Sequence, residues 1–330
     1  MRIDTRPSRR SVLLGLAGLA TGCQRALADT ADAGAPAPSS SGGNAKAPAR
    51  DPSAERIAAL KGARDKLRPL HERAGKPKPG DWLSDHPERG QSFEQYLAAR
   101  PTLPAPGRRA LVVLPLGEFP AAQKRLVGVV RDYMERYFRL PVRLADPVAL
   151  DGVPKRARRK HPTWGDPQIL TTWVLNELLP SRLPKDAAAL LALTSSDLWP
   201  GMGWNFVFGQ ADLHSRVGVW SLYRHGDASA SDSAFQLALR RAVGIAVHET
   251  GHMFSLEHCT AYRCVQAGVN SLEEADRSPL WACPECMVKI AWATGADPVE
   301  RYRGLEDLCR AQKLDKEAAF FGRSVAALSG

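Results

Sequence analysis

The sequence predicts an α/β fold with a mixed, mostly parallel sheet, and two observations support this. Between residues 110 and 193, apolar runs typical of buried strands alternate with helical stripes, so the strands are joined by crossover connections. A long helix at residues 233–254 follows and divides an upper, sheet-containing part from a smaller lower part. Apolar residues make up 44% of the 330 residues and charged residues 24%, a balance typical of a globular protein.

The chain before the sheet predicts a helical lead-in, residues 53–109. Ser53 is a candidate cap for a helix at residues 54–67, and Ser92 for a shorter helix at residues 93–99. Proline and glycine between them indicate loops. The lead-in shows no obvious chemistry, and residues 110–330 are predicted to form the main domain.

The sheet region contains three predicted strands with two helices between them: strands at 110–114, 141–144 and 189–193, and helices at 123–138 and 168–179. Two further strands, at 206–210 and 217–221, are close enough in sequence to pair directly. After the long helix, we expect loops and short helices. Asp297 and Pro298 start the last of these helices, which runs through Cys309, expected to be a buried free thiol.

Residues 1–23 have the pattern of an export signal with a lipobox. Four arginines precede an apolar run at residues 12–20, which is too short to span a bilayer as a stable helix. Arg9 and Arg10 resemble a twin-arginine signal, and residues 20–23 resemble a lipobox in which Cys23 is lipidated. We therefore expect a lipid-anchored protein of the periplasm or cell envelope. The alternatives are a plain cleavable signal in which Cys23 is incidental and, less favoured because the segment that follows is not built to pack, a cytosolic protein with an apolar tail.

Residues 24–52 predict a flexible tether, because they are mostly Ala, Pro, Ser and Gly. The formal net charge of the chain is +10, and its basic residues are concentrated in the run at residues 155–160. That run has no interleaved aromatic residues, so we expect a solvated loop and no nucleic-acid partner. The sequence does not define the oligomeric state, and we expect a monomer.

The most informative motif lies at the end of the long helix. His248 and His252 are four residues apart, so on a helix their rings share one face and can bind one metal ion. His258 adds a third imidazole from beyond the helix end. Three protein ligands leave a fourth position for water, the layout of a catalytic zinc site, and Glu249 could take that water's proton.

This motif resembles the metzincin metallopeptidases, and Cys259 directly after the third histidine resembles their archaemetzincin (archaelysin) branch. The resemblance extends to residues 114–120, 204–210 and 271–286, and covers roughly residues 80–292. It implies a metzincin-like zinc peptidase with an active-site helix and a smaller C-terminal part stabilised by zinc. Its substrate would be a peptide or protein, hydrolysed through a zinc-bound water activated by Glu249.

Two positions depart from the family pattern. Ser255 stands where metzincins usually carry glycine, at a turn that commonly needs a positive φ. Gln266 stands where the family commonly has a methionine beneath the metal. Neither residue is a ligand, so the three imidazoles are retained.

Four cysteines predict a second, structural zinc site, and thus two zinc ions per chain. Cys259 and Cys264 form one pair and Cys283 and Cys286 another, which suits a tetrahedral site. An exported protein meets oxidants, so disulfides are the alternative. A redox motif at residues 283–286 would need a thioredoxin-like setting, which the sequence lacks.

Two other functions remain open from sequence alone. A non-catalytic, zinc-stabilised binding lipoprotein of the envelope would have no need of the Glu249 carboxylate, and hydrolysis of a non-peptide amide is compatible with the motif. Tyr262 is a possible oxyanion helper, but the sequence does not fix its direction.

Overall fold

The computed structural model describes residues 52–212 and 215–330. The predicted signal, Cys23 and the tether up to residue 51 lie outside the described residues. The strands are β1 Ala110–Leu116, β2 Val142–Leu144, β3 Arg158–Lys160, β4 Pro167–Leu170, β5 Ala187–Thr194, β6 Asp197–Trp199, β7 Gly209–Asp212 and β8 Val217–Ser221. The α-helices are α1 Ala54–Leu67, α2 Trp82–Asp85, α3 Phe93–Ala98, α4 Ala121–Phe138, α5 Thr171–Trp173, α6 Asp232–Met253, α7 Leu272–Arg277, α8 Pro284–Thr294, α9 Pro298–Ala311 and α10 Asp315–Ser329.

The main sheet has five strands in the order β2-β1-β5-β8-β7. Its first four strands are parallel, and β7 pairs antiparallel with β8 at one edge. This arrangement confirms the predicted mixed, mostly parallel sheet. A smaller sheet, β3-β4-β6, lies beside it and contains one antiparallel and one parallel pair.

The core has two layers because alternate residues of a strand point to opposite faces. Leu191 and Leu193 of β5 belong to the cluster that includes α4 and α6, while Leu190 belongs to the cluster that includes Trp173 and Val174. All eight residues of β5 are buried, so the sheet is covered on both faces. Burial on both faces explains why β1 and β5 are continuous apolar runs.

The helix α6 carries the predicted metal ligands. Ser231 caps its first turn, because its side chain accepts a hydrogen bond from the backbone N–H of Ala234 at 3.1 Å. One face, which includes Ala242, Val243 and Ala246, is buried in the core. The other face is left for the site described below.

The lead-in helices begin where the sequence predicts. Ser53 accepts a hydrogen bond from the backbone N–H of Arg56, and Ser92 forms a capping box with Gln95. The helix α1 packs against α8 of the C-terminal part. The lead-in is therefore attached to the C-terminal part through α1.

Three predictions for secondary structure were wrong. Residues 168–170 belong to strand β4 rather than to a helix, and a short helical segment follows only from Thr171. Strand β7 begins at Gly209, three residues later than predicted. The basic run is not simply a solvated loop: it includes β3, in which the Arg159 guanidinium lies 4.0 Å from the centre of the Trp199 ring.

The C-terminus contains a helix that the sequence analysis missed, α10. Lys313 makes the turn before it with φ +58°, so no glycine marks the turn in the sequence. Cys309 is buried and free, as predicted. Among the helices of the described ranges, none combines the length and apolar character needed to cross a membrane.

Candidate active site and metal centres

The structure brings the three predicted imidazoles together. His248 and His252 lie on the last turns of α6, and His258 returns to them after the turn that follows the helix. One nitrogen from each ring lies within 4.8 Å of the others. The Nε2 atoms of His248 and His252 are 3.0 Å apart.

The opposite nitrogen of each ring faces an oxygen acceptor. The acceptors are Val265 O, 3.0 Å from His248 Nδ1; Leu256 O, 2.7 Å from His252 Nδ1; and the Glu88 carboxylate, 3.0 and 3.1 Å from His258 Nδ1. Carbonyl and carboxylate oxygens only accept, so this network assigns the proton to each Nδ1 and the lone pair to each Nε2. Lone pairs that converge at this distance fit a bound cation, and three imidazoles suit zinc.

Burial keeps the first two rings neutral. It lowers the pKa of His248 to about 3 and the pKa of His252 well below its usual range. Neutral imidazole is the form that binds metal. The site is therefore prepared for a cation.

Glu249 lies in the same cavity as the three rings. Burial raises the pKa of its carboxyl to about 8. Strand β7 packs against this side chain so closely that a Cβ added at Gly209 would lie 3.0 Å from Glu249 Oε1. The cavity has a volume of about 530 Å³, and the side chains of Trp82, Trp204 and Phe208 contribute to its lining.

Ser255 adopts the left-handed conformation expected for the family glycine, with φ +63°. Its hydroxyl also accepts a hydrogen bond from the backbone N–H of Thr102 at 3.0 Å. Its carbonyl accepts one from Gln91 Nε2 at 3.3 Å. Ser255 therefore joins the turn after α6 to the lead-in.

Gln266 fills the position of the family methionine. Its buried side chain donates from Nε2 to the carbonyl of His248 at 3.3 Å. A Cβ at Gly251 would lie 2.2 Å from Gln266 Oε1, so a glycine is needed for this close approach. The Gln266 amide is therefore joined to α6 at the backbone of the predicted ligand His248.

The lead-in contributes to the site, and the sequence analysis missed this contribution. Glu88 holds His258 and also accepts a hydrogen bond from Trp82 Nε1 at 3.0 Å. The Tyr96 hydroxyl donates to the carbonyl of Phe254 at 2.8 Å. From the sequence, one can infer only that the Nδ1 atom of each ligand histidine needs a hydrogen-bond acceptor. This does not identify Glu88 as the acceptor for His258.

Tyr262 lies away from the catalytic cavity. Its buried ring packs against His71, and the Arg73 guanidinium lies 4.2 Å from the ring centre. Tyr262 does not line the cavity, so it has no role as an oxyanion helper in this structure.

The four predicted cysteines surround one point in the C-terminal part. All four are buried and free, and their Sγ atoms lie within 4.8 Å of one another. Hydrogen bonds from the other thiols lower the pKa of Cys259, whereas burial raises the pKa of Cys264. A closed set of four sulfur donors fits a structural zinc ion.

Comparison with known proteins identifies a peptidase family and several archaemetzincins that are similar to this chain. The model for Peptidase family M54 matches residues 185–291. Archaemetzincin-2 of Pongo abelii is 33% identical over 259 residues, which cover 69% of this chain and 71% of the relative. Archaemetzincin-2 of Homo sapiens is also 33% identical, over 262 residues and the same shares.

A crystal structure of archaemetzincin from Methanopyrus kandleri superposes with a TM-score of 0.48 and 27% identity, over 58% of this chain and 99% of that one. The curated relatives, whose similarity extends over more than two thirds of both chains, and the match to the family model show that this chain belongs to the archaemetzincins, a family of zinc metallopeptidases.

Proposed function

We propose that the chain hydrolyses peptide bonds, with Glu249 as general base and His248, His252 and His258 as zinc ligands. The observation that carries the proposal is the buried Glu249 carboxyl beside three converging Nε2 lone pairs in one cavity. A bound zinc ion would supply Lewis acidity, lowering the pKa of a water and polarising the peptide carbonyl.

The side chains of the protein account for the proton transfers. A carboxylate oxygen of Glu249 accepts the proton of the attacking water and then donates it to the leaving amine. Burial alone favours the protonated form of Glu249, and a positive charge beside the imidazoles favours the ionised form. Glu88 keeps the proton on His258 Nδ1 and thereby directs the Nε2 lone pair into the cavity.

The proposal includes two zinc ions per chain, one at the open set of three histidines and one at the closed set of four cysteines. A lipid on Cys23 would hold the catalytic domain at the cell envelope, and the tether at residues 24–52 would give it reach. The motivation for this location is the signal pattern in the sequence.

Glu249→Gln tests the role of the base. The variant should keep its zinc and lose about 10² to 10⁴ in rate on a peptide library, because a general base typically contributes that factor. Glu257→Gln is the matched control, since Glu257 is an exposed carboxylate nearby on the chain. Equal turnover in Glu249→Gln and the parent would refute the role of Glu249.

Thermal melting of the metal-free proteins distinguishes a variant that has lost only its general base from a variant that has lost its fold. The folded-state pKa of Glu249 is raised to about 8, so ionising this carboxyl destabilises the metal-free fold as the pH rises from about 4.5 through 8. Glutamine cannot ionise. Metal-free Glu249→Gln should therefore melt at or above the temperature of the metal-free parent at pH 8.

A further inference from the structure

The loop at residues 200–208, here named the rim loop, joins β6 to β7 and borders the catalytic cavity, which Trp204 helps to line. Gly201 and Gly203 in its outer part have φ of +134° and +84°, conformations that glycine adopts readily. Between them, the Met202 side chain is 91% exposed and contributes little packing. The conformation of the rim loop therefore depends on contacts made by its other residues.

Arg159, in the basic run at residues 155–160, reaches the rim loop from strand β3. Its Nη2 atom donates to the carbonyl of Trp204 at 2.9 Å and to the carbonyl of Asn205 at 3.0 Å. Its guanidinium also lies 4.0 Å from the ring centre of Trp199, the residue directly before the loop. A planar guanidinium can donate several hydrogen bonds and stack on an aromatic ring, whereas the ammonium group of lysine is a point charge.

A buried hydrogen-bond network orients Arg159. Asp197 is fully buried, and Arg224 donates to both of its carboxylate oxygens at 2.8 and 2.6 Å. Gln168 donates from Nε2 to Asp197 at 2.7 Å and to the Asn205 carbonyl at 2.8 Å. Its Oε1 is therefore left to accept from Arg159 Nε, at 2.8 Å. Because a buried carboxylate is costly to leave unpaired, the fold keeps this network together.

The neighbouring arginines of the basic run bond other parts of the fold. Arg156 pairs with the carboxylate of Glu177 at the surface. Arg158 donates to the carbonyl of Val153 at 2.7 Å. Arg156 therefore has the same charge as Arg159 and lies three residues from it, but its ion pair is separate from the rim loop, and it provides a matched control.

We propose that Arg159 is a positioning residue for peptide binding, because it fixes the rim loop in the conformation that borders the cavity. A loop that is ordered before binding loses less entropy when a peptide binds. Arg159 does not line the cavity, and it acts through the carbonyls of Trp204 and Asn205. The inference rests on the proposed function and adds a residue that prepares the peptide site.

Hydrogen exchange tests whether Arg159 fixes the loop. Arg159→Lys keeps the positive charge and removes the planar group. In the zinc-loaded full chain, amides of residues 203–208 should exchange at least about fivefold faster than in the parent, because the loop opens more often. Mass spectrometry of peptic fragments measures this rate. Arg156→Lys should exchange like the parent, and equal exchange in Arg159→Lys and the parent would overturn the inference.

Kinetics tests whether the fixed loop serves peptide binding. On the best substrate from a random peptide library, Arg159→Lys should raise KM about five- to tenfold and change kcat less than about twofold, since the loss falls on binding. Zinc affinity in chelator competition should equal that of the parent. A general loss of structure would instead lower the active fraction, and thus kcat, at constant KM. That result, or an unchanged KM, would overturn the inference.

Thermal melting checks the fold of Arg159→Lys. If this variant melts more than about 4 °C below the parent, a second variant, Asn205→Gly, decides. Asn205 is exposed, and its Oδ1 atom lies 3.3 Å from His161 Nε2, so glycine removes this contact and loosens the same backbone. Asn205→Gly must raise KM at least about threefold, or the inference fails.

Binding of an uncleaved peptide separates this inference from the proposed function. NMR titration with acetylated hexa-alanine should give a Kd about five- to tenfold higher for Arg159→Lys than for the parent, and an equal Kd for Arg156→Lys. If no peptide is cleaved but this difference and the faster exchange are present, the proposed function fails and the role of Arg159 stands. If peptides are cleaved and Arg159→Lys matches the parent in KM, Kd and exchange, the role of Arg159 fails and the proposed function stands. If the parent neither cleaves peptides nor binds this one, both fail.

Discussion

The turn at Ser255 allows two opposing effects on stability to be separated. Ser255 has φ +63°, and its hydroxyl accepts a hydrogen bond from the Thr102 N–H. Ser255→Ala removes the hydroxyl and keeps the left-handed backbone. Ser255→Gly removes the hydroxyl and relieves the backbone as well. The two variants therefore differ mainly in backbone strain.

The magnitudes follow from these contacts. Loss of one part-buried hydrogen bond costs about 1 kcal/mol, so Ser255→Ala should be about 1 kcal/mol less stable than the parent. Glycine relieves the left-handed strain, which raises the free energy of unfolding by about 1 to 2 kcal/mol. The greater flexibility of glycine in the unfolded chain lowers it by roughly 0.5 to 1 kcal/mol. Ser255→Gly should lie between Ser255→Ala and the parent. The lost hydroxyl bond therefore offsets the gain in stability that relief of the backbone strain would give by itself.

Urea unfolding of the zinc-loaded and metal-free proteins measures these differences, and chelator competition measures zinc affinity. Lys313 is a matched control, since it also has a positive φ, of +58°, and lies between α9 and α10. Lys313→Gly should exceed Lys313→Ala in stability by a similar amount, with zinc affinity unchanged. If Ser255→Gly is less stable than Ser255→Ala, the strain reasoning is refuted.

Three further predictions concern the metal sites and the anchor. Glu88→Gln keeps a hydrogen-bond acceptor for His258 but removes the negative charge of the carboxylate, so the zinc affinity measured by chelator competition should fall about 10- to 100-fold. The control Glu72→Gln changes an exposed carboxylate of the lead-in and should leave the zinc affinity unchanged. Equal affinities in the parent and both variants would contradict the role of Glu88. Mass spectrometry of the native protein should find two zinc ions, of which a chelator removes one quickly, while Cys283→Ser should remove the slow one and lower the melting temperature. A single zinc together with disulfides would contradict this. Cys23→Ser should move the protein from the membrane fraction to the soluble fraction, and unchanged fractionation would exclude the lipid anchor.

The sequence alone determined the features whose physics is local. His248 and His252 share a helix face because of their spacing, and Ser53 and Ser92 cap helices within three residues of themselves. The continuous apolar runs at β1 and β5 indicated strands that are buried on both faces. The departure at Ser255 from a family glycine indicated the positive φ that the backbone adopts.

Only the tertiary structure decided which distant residues complete the site. Glu88 meets His258 across 170 positions of sequence, and nothing in the sequence around either residue indicates that contact. The strand at residues 167–170 forms because β6 offers it a hydrogen-bonding edge, which overrides its helical pattern. The cavity beside the three imidazoles is lined by Trp82, Phe208 and Leu280, which come from distant parts of the chain. Helical spacing and caps act between neighbours in the chain, whereas an acceptor, a sheet edge or a cavity wall is supplied by whichever segment the fold brings near.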